Sequence, residues 1–198
     1  VLLLVLVAAT AAALGFRLPV SSSSTAAPPI GAPQGAHRTP AHGDRDGLGE
    51  ADGALPAGTT VFDDDVRGVA RLDPALLGAL RRAATDAAGA GVSFVVDSGW
   101  RSRAYQSHLL HEAVAKYGSE QEAARWVATP GTSAHVSGDA VDLGPAASAA
   151  WLTAHGAAYG LCRTYGNEPW HFELRPQAVA DGCPPMYADP TQDPRMQP

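Results

Sequence analysis

Two short segments hold the residue types that could do chemistry: Ser133-Ala134-His135-Val136-Ser137-Gly138-Asp139-Ala140-Val141-Asp142 and Glu168-Pro169-Trp170-His171. Between them they offer two imidazoles, a carboxylate suited to a metal, and a second carboxylate three residues from a candidate ligand, which are the parts a zinc hydrolase needs. Three protein ligands leave a coordination position for water, and the extra carboxylate can take that water's proton.

The elements around these segments must bring them together. Residues 140–144 read as a strand whose period of two puts Ala140 and Asp142 on one face and Val141 and Leu143 on the other, so a carboxylate projects beside a small residue. Gly138 permits the backbone turn that returns His135 toward it. Alone, this spacing equally fits a capped loop histidine and a surface aspartate. The second segment contains a conflict: in a regular strand Glu168 and His171 face opposite ways, and Pro169 keeps Glu168 out of helical geometry. A turn or bulge near Pro169 is therefore required if both are to face one centre. Otherwise Trp170 and Phe172 are core residues and Glu168 is a solvated charge.

Asp73-Pro74 carries the signature of a helix start, Asp as cap and Pro in the first turn, and Leu76, Leu77, Leu80, Ala83, Ala84 and Ala87 follow at helical spacing until Gly89-Ala90-Gly91. Residues 92–96 read as a strand running into the polar loop Asp97-Ser98-Gly99-Trp100-Arg101-Ser102. A helix is expected over 103–116, and another from Ser119, which with Glu122 has the capping-box pattern. Residues 129–138 read as a loop, 147–159 as a helix, and 161–165 and 171–174 as strands. His108 and His111, three apart on one helix with no local carboxylate partner, read as surface or packing residues, as does His155. Trp126 and Trp151 read as core or cleft walls.

With 198 residues, 45% hydrophobic content and net charge −6, the chain has room for one core and no basic stripe for nucleic acid. Residues 1–20 form an apolar stretch close to spanning length, favoured as an uncleaved anchor over a cleaved signal, and either reading places the protein outside the cytoplasm. Residues 21–58 are rich in Ser, Pro, Gly and Ala and read as a disordered tether, with the folded domain over 59–198. The two cysteines, Cys162 and Cys183, lack a Cys-x-x-Cys spacing; in an exported protein they read as one disulfide, against the alternative of two buried thiols.

The ordered set Ser98-Gly99-Trp100-Arg101-Ser102 with Gln106, then Ser133-x-His135-x-x-Gly138-x-Ala140-x-Asp142, then Glu168-Pro169-Trp170-His171-Phe172-Glu173 resembles the VanY-like zinc D-alanyl-D-alanine carboxypeptidases. The resemblance implies an α+β fold of the DD-peptidase/hedgehog type, a small mainly antiparallel sheet flanked by helices with a zinc cleft. It implies His135, Asp142 and His171 as Zn2+ ligands, Glu168 as catalytic base, Arg101 at the substrate, and Ser133 and Gln106 nearby. Trp100 stands where Tyr is commoner, and Val136 and Asp139 replace residues that are often Gln and an apolar side chain, which bears on substrate preference. The implied function is removal of the terminal D-alanine from peptidoglycan stem peptides by a monomeric, wall-acting enzyme, membrane-anchored or secreted. Competing readings are an endopeptidase or dipeptidase of the same fold, the latter disfavoured by the anchor, and a non-catalytic wall-binding module stapled by zinc. A purely structural site has no use for Glu168.

Overall fold

Helices α1 (Arg67–Ala70), α2 (Pro74–Gly89), α3 (Arg103–Tyr117), α4 (Glu120–Ala123), α5 (Ala134–Ser137), α6 (Ala146–His155) and α7 (Ala178–Asp181) surround strands β1 (Val95–Ser98), β2 (Ala140–Gly144), β3 (Leu161–Arg163) and β4 (His171–Leu174) in this computed structural model, which describes residues 48–197. The apolar stretch 1–20 and most of the expected tether lie outside the described residues. Among the described residues no helix is long and apolar enough to cross a membrane.

Asp73 opens α2 as its spacing predicts, its Oδ1 accepting from the amides of Ala75 at 2.9 Å and Leu76 at 3.0 Å, with Pro74 in the first turn. The helix then presents Leu76, Ala79, Leu80, Ala83 and Ala87 to one face of the sheet, where Val96, Val141, Leu143, Leu161 and Phe172 meet them. Ala149 and Leu152 of α6 close the same core. Burial of this stripe is the main driving force that fixes the sheet's orientation.

The sheet is antiparallel throughout, in the order β1-β2-β4-β3. Its register decides the site. Ser98 pairs with Asp142 and Asp142 with His171, while Ala140 pairs with Glu173 and Glu173 with Cys162. Directly opposed residues share a face, so Ser98, Asp142 and His171 form one row on the face away from α2, and Ala140, Glu173 and Cys162 form the next.

The expected strand at 92–96 begins three residues later, at Val95. Val92 is still bonded to the end of α2 through its amide to the Ala87 carbonyl at 2.9 Å, and strand pairing starts only where Val95 meets Gly144. The expected loop at 129–138 contains one helical turn, α5, and the helix expected over 147–159 is α-helical only to His155 before tightening to a 3-10 turn at Gly156–Tyr159. Residues 50–55, within the span read as tether, pack on the domain: Glu50–Asp52 form a 3-10 turn and the Ser102 amide donates to the Asp52 carbonyl at 2.8 Å. Leu55 packs against the core.

Cys162 and Cys183 form a disulfide across a separation of 21 residues, tying β3 to the segment after α7. Closing a loop of that size contributes about 3 kcal/mol through the unfolded chain.

Gly138 ends α5 at φ 84, and a Cβ there would lie 2.5 Å from the Arg71 carbonyl oxygen. A left-handed L-residue alone costs about 1–2 kcal/mol, and here the neighbour is backbone and cannot swing away. Gly138→Ala is expected to lower the unfolding free energy by at least that much, read as a lower urea midpoint, and to weaken the zinc binding that the resemblance implies for His135, which α5 carries. A midpoint equal to the parent's would show that the turn is not under this constraint.

Candidate active site

His135, Asp142 and His171 are buried, and one ligand atom from each lies within 4.8 Å of the others. His171 Nδ1 is 3.0 Å and His135 Nε2 3.4 Å from Asp142 Oδ1, and the two imidazole nitrogens are 3.3 Å apart. The opposite edge of each ring is held. His135 Nδ1 donates to the Gly99 carbonyl at 2.8 Å, and His171 Nε2 faces Glu173 Oε1 at 3.3 Å. Each bond selects the tautomer that leaves the inward nitrogen free to ligate, and a carboxylate behind an imidazole raises its basicity.

The electrostatics follow from that packing. Burial works against a charge on His171, but hydrogen bonds to Asp142 and Glu173 push its pKa up to about 10. Burial and the neighbouring Arg101 guanidinium hold His135 below its ordinary value. Burial opposes ionisation of Asp142, yet the two imidazoles hold it well below the usual carboxylate range. One carboxylate between two imidazoles is a donor set that a divalent cation fits, displacing the proton that His171 otherwise holds.

Glu168 reaches the same centre by the route its sequence demands. Pro169 and Trp170 form a turn in which the His171 amide donates to the Glu168 carbonyl at 3.2 Å, and this turn re-aims the Glu168 side chain. Its Oε2 lies 3.8 Å from His171 Nδ1, while Oε1 is buried without a hydrogen-bond partner. Burial above all pushes its pKa up to about 7. A buried, unsatisfied carboxylate oxygen is costly unless something in the cleft uses it.

Arg101 is held by three side chains. Its Nε donates to Ser98 Oγ at 2.8 Å, Nη1 to Gln106 Oε1 at 3.1 Å, and Nη2 to Asp142 Oδ2 at 3.1 Å. Asp142 therefore offers Oδ1 to the histidines and Oδ2 to the arginine. Gln106 is fixed in turn by donating to the Ala128 carbonyl at 2.8 Å, and Ser133, buried at the start of α5, lines the cleft without capping the helix. From the triad the cleft runs past Tyr105 and Leu109 to Tyr117, Trp126 and Met196.

Trp126 stacks on Tyr117 with ring centres 5.8 Å apart and forms a cleft wall, whereas Trp151 packs edge-on against Phe94 in the core. His155 is exposed and lies against Trp151. The absence of a carboxylate near His108 is corrected by the structure: Glu112, one turn on, lies 3.4 Å from its Nε2. Reading only the His108/His111 spacing passes over that i,i+4 partner.

Glu173, the last residue of the motif that begins at Glu168, has a role that its residue type alone does not reveal. It is 1% exposed, bonded to His171 and paired with Arg175 at 2.8 Å and Arg195 at 2.6 Å, which together hold its carboxyl far below the usual range even though burial opposes this. The available signal was its position two residues after His171, on the same strand face.

Residues 69–177 match the family model described as VanY, D-alanyl-D-alanine carboxypeptidase. A curated D-alanyl-D-alanine carboxypeptidase of Enterococcus faecalis (strain ATCC 700802 / V583) is 34% identical over 113 residues, covering 44% of this chain and 42% of that protein. The chain thus spans less than half the length of this relative. Among solved structures, VanYB in complex with D-Alanine-D-Alanine is similar at TM-score 0.52 and 28% identity, covering 56% of this chain and 74% of that one. The LdcB LD-carboxypeptidase shares the fold at TM-score 0.51 and 22% identity, covering 65% of this chain and 71% of that one. The matched span takes in more than half of the sequence and contains the clustered His135, Asp142 and His171 together with Glu168 and Arg101, and the chain belongs to the VanY family of D-alanyl-D-alanine carboxypeptidases.

Proposed function

We propose that this domain is a zinc-dependent D,D-carboxypeptidase that removes the terminal D-alanine from peptidoglycan stem peptides outside the cytoplasm. The observation that carries the reading is the unpartnered Oε1 of buried Glu168 beside three clustered metal-ligating side chains in a cleft. Likeness to a structure that holds D-Alanine-D-Alanine supports the substrate class, and the disulfide is consistent with an exported protein. In this reading the N-terminal stretch 1–20 anchors or exports the domain and the tether lets it reach the wall.

His135, Asp142 and His171 would hold the zinc. When bound, zinc supplies a Lewis acid that makes a water acidic near neutral pH and polarises the carbonyl under attack. Glu168 takes the proton of the attacking water on Oε1 and hands it to the amine of the departing D-alanine, so one carboxylate serves as base and then as acid. Gly99 and Glu173 keep the imidazoles from rotating during this exchange. Arg101 has five N–H donors, three of them occupied by Ser98, Gln106 and Asp142, and the rest of its fork takes the substrate's terminal carboxylate. Ser133 and Gln106 line the same end of the cleft.

Incubating the zinc-loaded protein with a pentapeptide stem, a tetrapeptide stem and free D-alanyl-D-alanine, and identifying products by mass, tests the proposal. Release of one D-alanine from the pentapeptide, with the other two substrates spared, is the expected result. Cleavage inside the stem, or action on the free dipeptide alone, would reassign the chain to an endopeptidase or a dipeptidase, and binding of stems without turnover would make it a non-catalytic module.

A further inference from the structure

The C-terminal residues 183–196 lie beyond the span matched by the family model, yet they reach the candidate metal centre. After the disulfide at Cys183, the chain runs beside the loop that leads to Glu168. The Tyr187 amide donates to the Thr164 carbonyl at 3.0 Å, Gly166 to Tyr187 at 2.8 Å, and Asn167 to Ala188 at 3.1 Å. The chain then turns at Asp193, which is 0% exposed and accepts from Tyr165 Oη at 3.0 Å. Asp193 in turn grips Arg195, taking its backbone amide at 2.9 Å and its Nε at 3.0 Å, with a further contact from Nη2.

Held in this way, Arg195 forks onto Glu173, Nη1 to Oε2 at 2.6 Å and Nη2 to Oε1 at 3.2 Å. Arg175 also pairs with Glu173, at 2.8 Å, but only through Oε2. The difference matters because Oε1 is the oxygen facing His171 Nε2. A bidentate guanidinium fixes the rotation of the carboxylate plane, which a single contact at the other oxygen does not do. We infer that the C-terminal segment is a strap that completes the metal centre, with Arg195 a positioning residue that orients His171 for the metal through Glu173.

This rests on the metal role proposed for His171, and the two can fail separately. Zinc affinity is measured by competition with a chromophoric chelator, and site geometry by the visible absorption of the cobalt-loaded protein, on the full chain with its disulfide intact. Arg195→Ala should weaken zinc binding by about 10-fold, the low end of the effect of losing the partner directly behind a ligand, because Glu173 itself stays, and alter the cobalt spectrum. Arg175→Ala should change both much less, and Arg195→Lys, which restores the charge without the fork, should recover only part of the affinity. Should Arg195→Ala fail to fold, Arg195→Gln decides by the same two measurements. A folded neutral variant with the parent's affinity and spectrum would overturn the inference while leaving the metal reading intact. A parent protein that binds no zinc would remove both.

Discussion

Glu168→Gln should lower kcat by about 10²–10⁴-fold, the range ascribed to a positioned acid–base group, while zinc stays bound. Glutamine keeps the volume and one oxygen but has no site for the proton, and none of the three clustered ligand atoms belongs to residue 168. Loss of activity through misfolding is separable by stability. The Glu168 pKa is raised by burial to about 7 in the metal-free protein, above an unfolded value of about 4.3. The folded state therefore binds the extra proton between those values, and stability falls as pH rises through that window. Removing the charge abolishes this loss, so metal-free Glu168→Gln should have a urea midpoint at pH 8 equal to or above the parent's. In the active enzyme the base must be unprotonated, so turnover rises with pH on the acid side. A neighbouring dication favours the ionised carboxylate, which puts that limb at or below pH 7, and the residual activity of the variant should lack it. Parent-like turnover would take Glu168 out of the mechanism.

How much of this could be read in the linear sequence varies with how local each determinant is. Strands β2 and β4 alternate polar and apolar residue types, Val141-Asp142-Leu143 and His171-Phe172-Glu173-Leu174, so both are legible to the residue although the fold buries both faces. The Glu168/His171 conflict was legible as a conflict, since Pro169 and the odd spacing require a turn, and the structure supplies it. The register that sets Asp142 opposite His171 was not, because it depends on pairing between strands 29 residues apart. Helix α5 was missed for the opposite reason: four residues are too few to show a period, and its end is set by Gly138 lying against the Arg71 carbonyl. Residues 50–55 dock through one apolar side chain, Leu55, and through backbone groups, which a surrounding composition rich in Gly, Ala and Pro does not distinguish from a tether. Arg195 had no signal at all, as it lies outside any motif and 22 residues from its partner Glu173.

Asp142→Asn should weaken zinc binding by more than the roughly 10–100-fold expected for a partner behind a ligand, because it removes the negative charge of the triad itself. The substitution keeps the shape, so the argument is electrostatic. Oδ1 faces both imidazoles and Oδ2 faces Arg101, and a neutral amide leaves the guanidinium beside the triad without the carboxylate that it pairs with. The same change replaces the charged acceptor that does most to raise the His171 pKa with a neutral one, so less proton competes with the metal at that ring, and the net loss of affinity is a lower bound on the carboxylate's own contribution. Breaking a buried charge network also destabilises, by about 3–5 kcal/mol where the leftover charge stays buried, and this second effect has a separate remedy. Adding Arg101→Gln to Asp142→Asn removes the uncompensated cation and should restore much of the stability, read by urea denaturation, but only the part of the zinc affinity that repulsion by that cation takes away. Recovery of parent-like affinity together with the stability would mean that Asp142 serves the fold by neutralising Arg101 and is not a ligand; a large affinity deficit that persists in the restored fold is the outcome that a shared metal site requires.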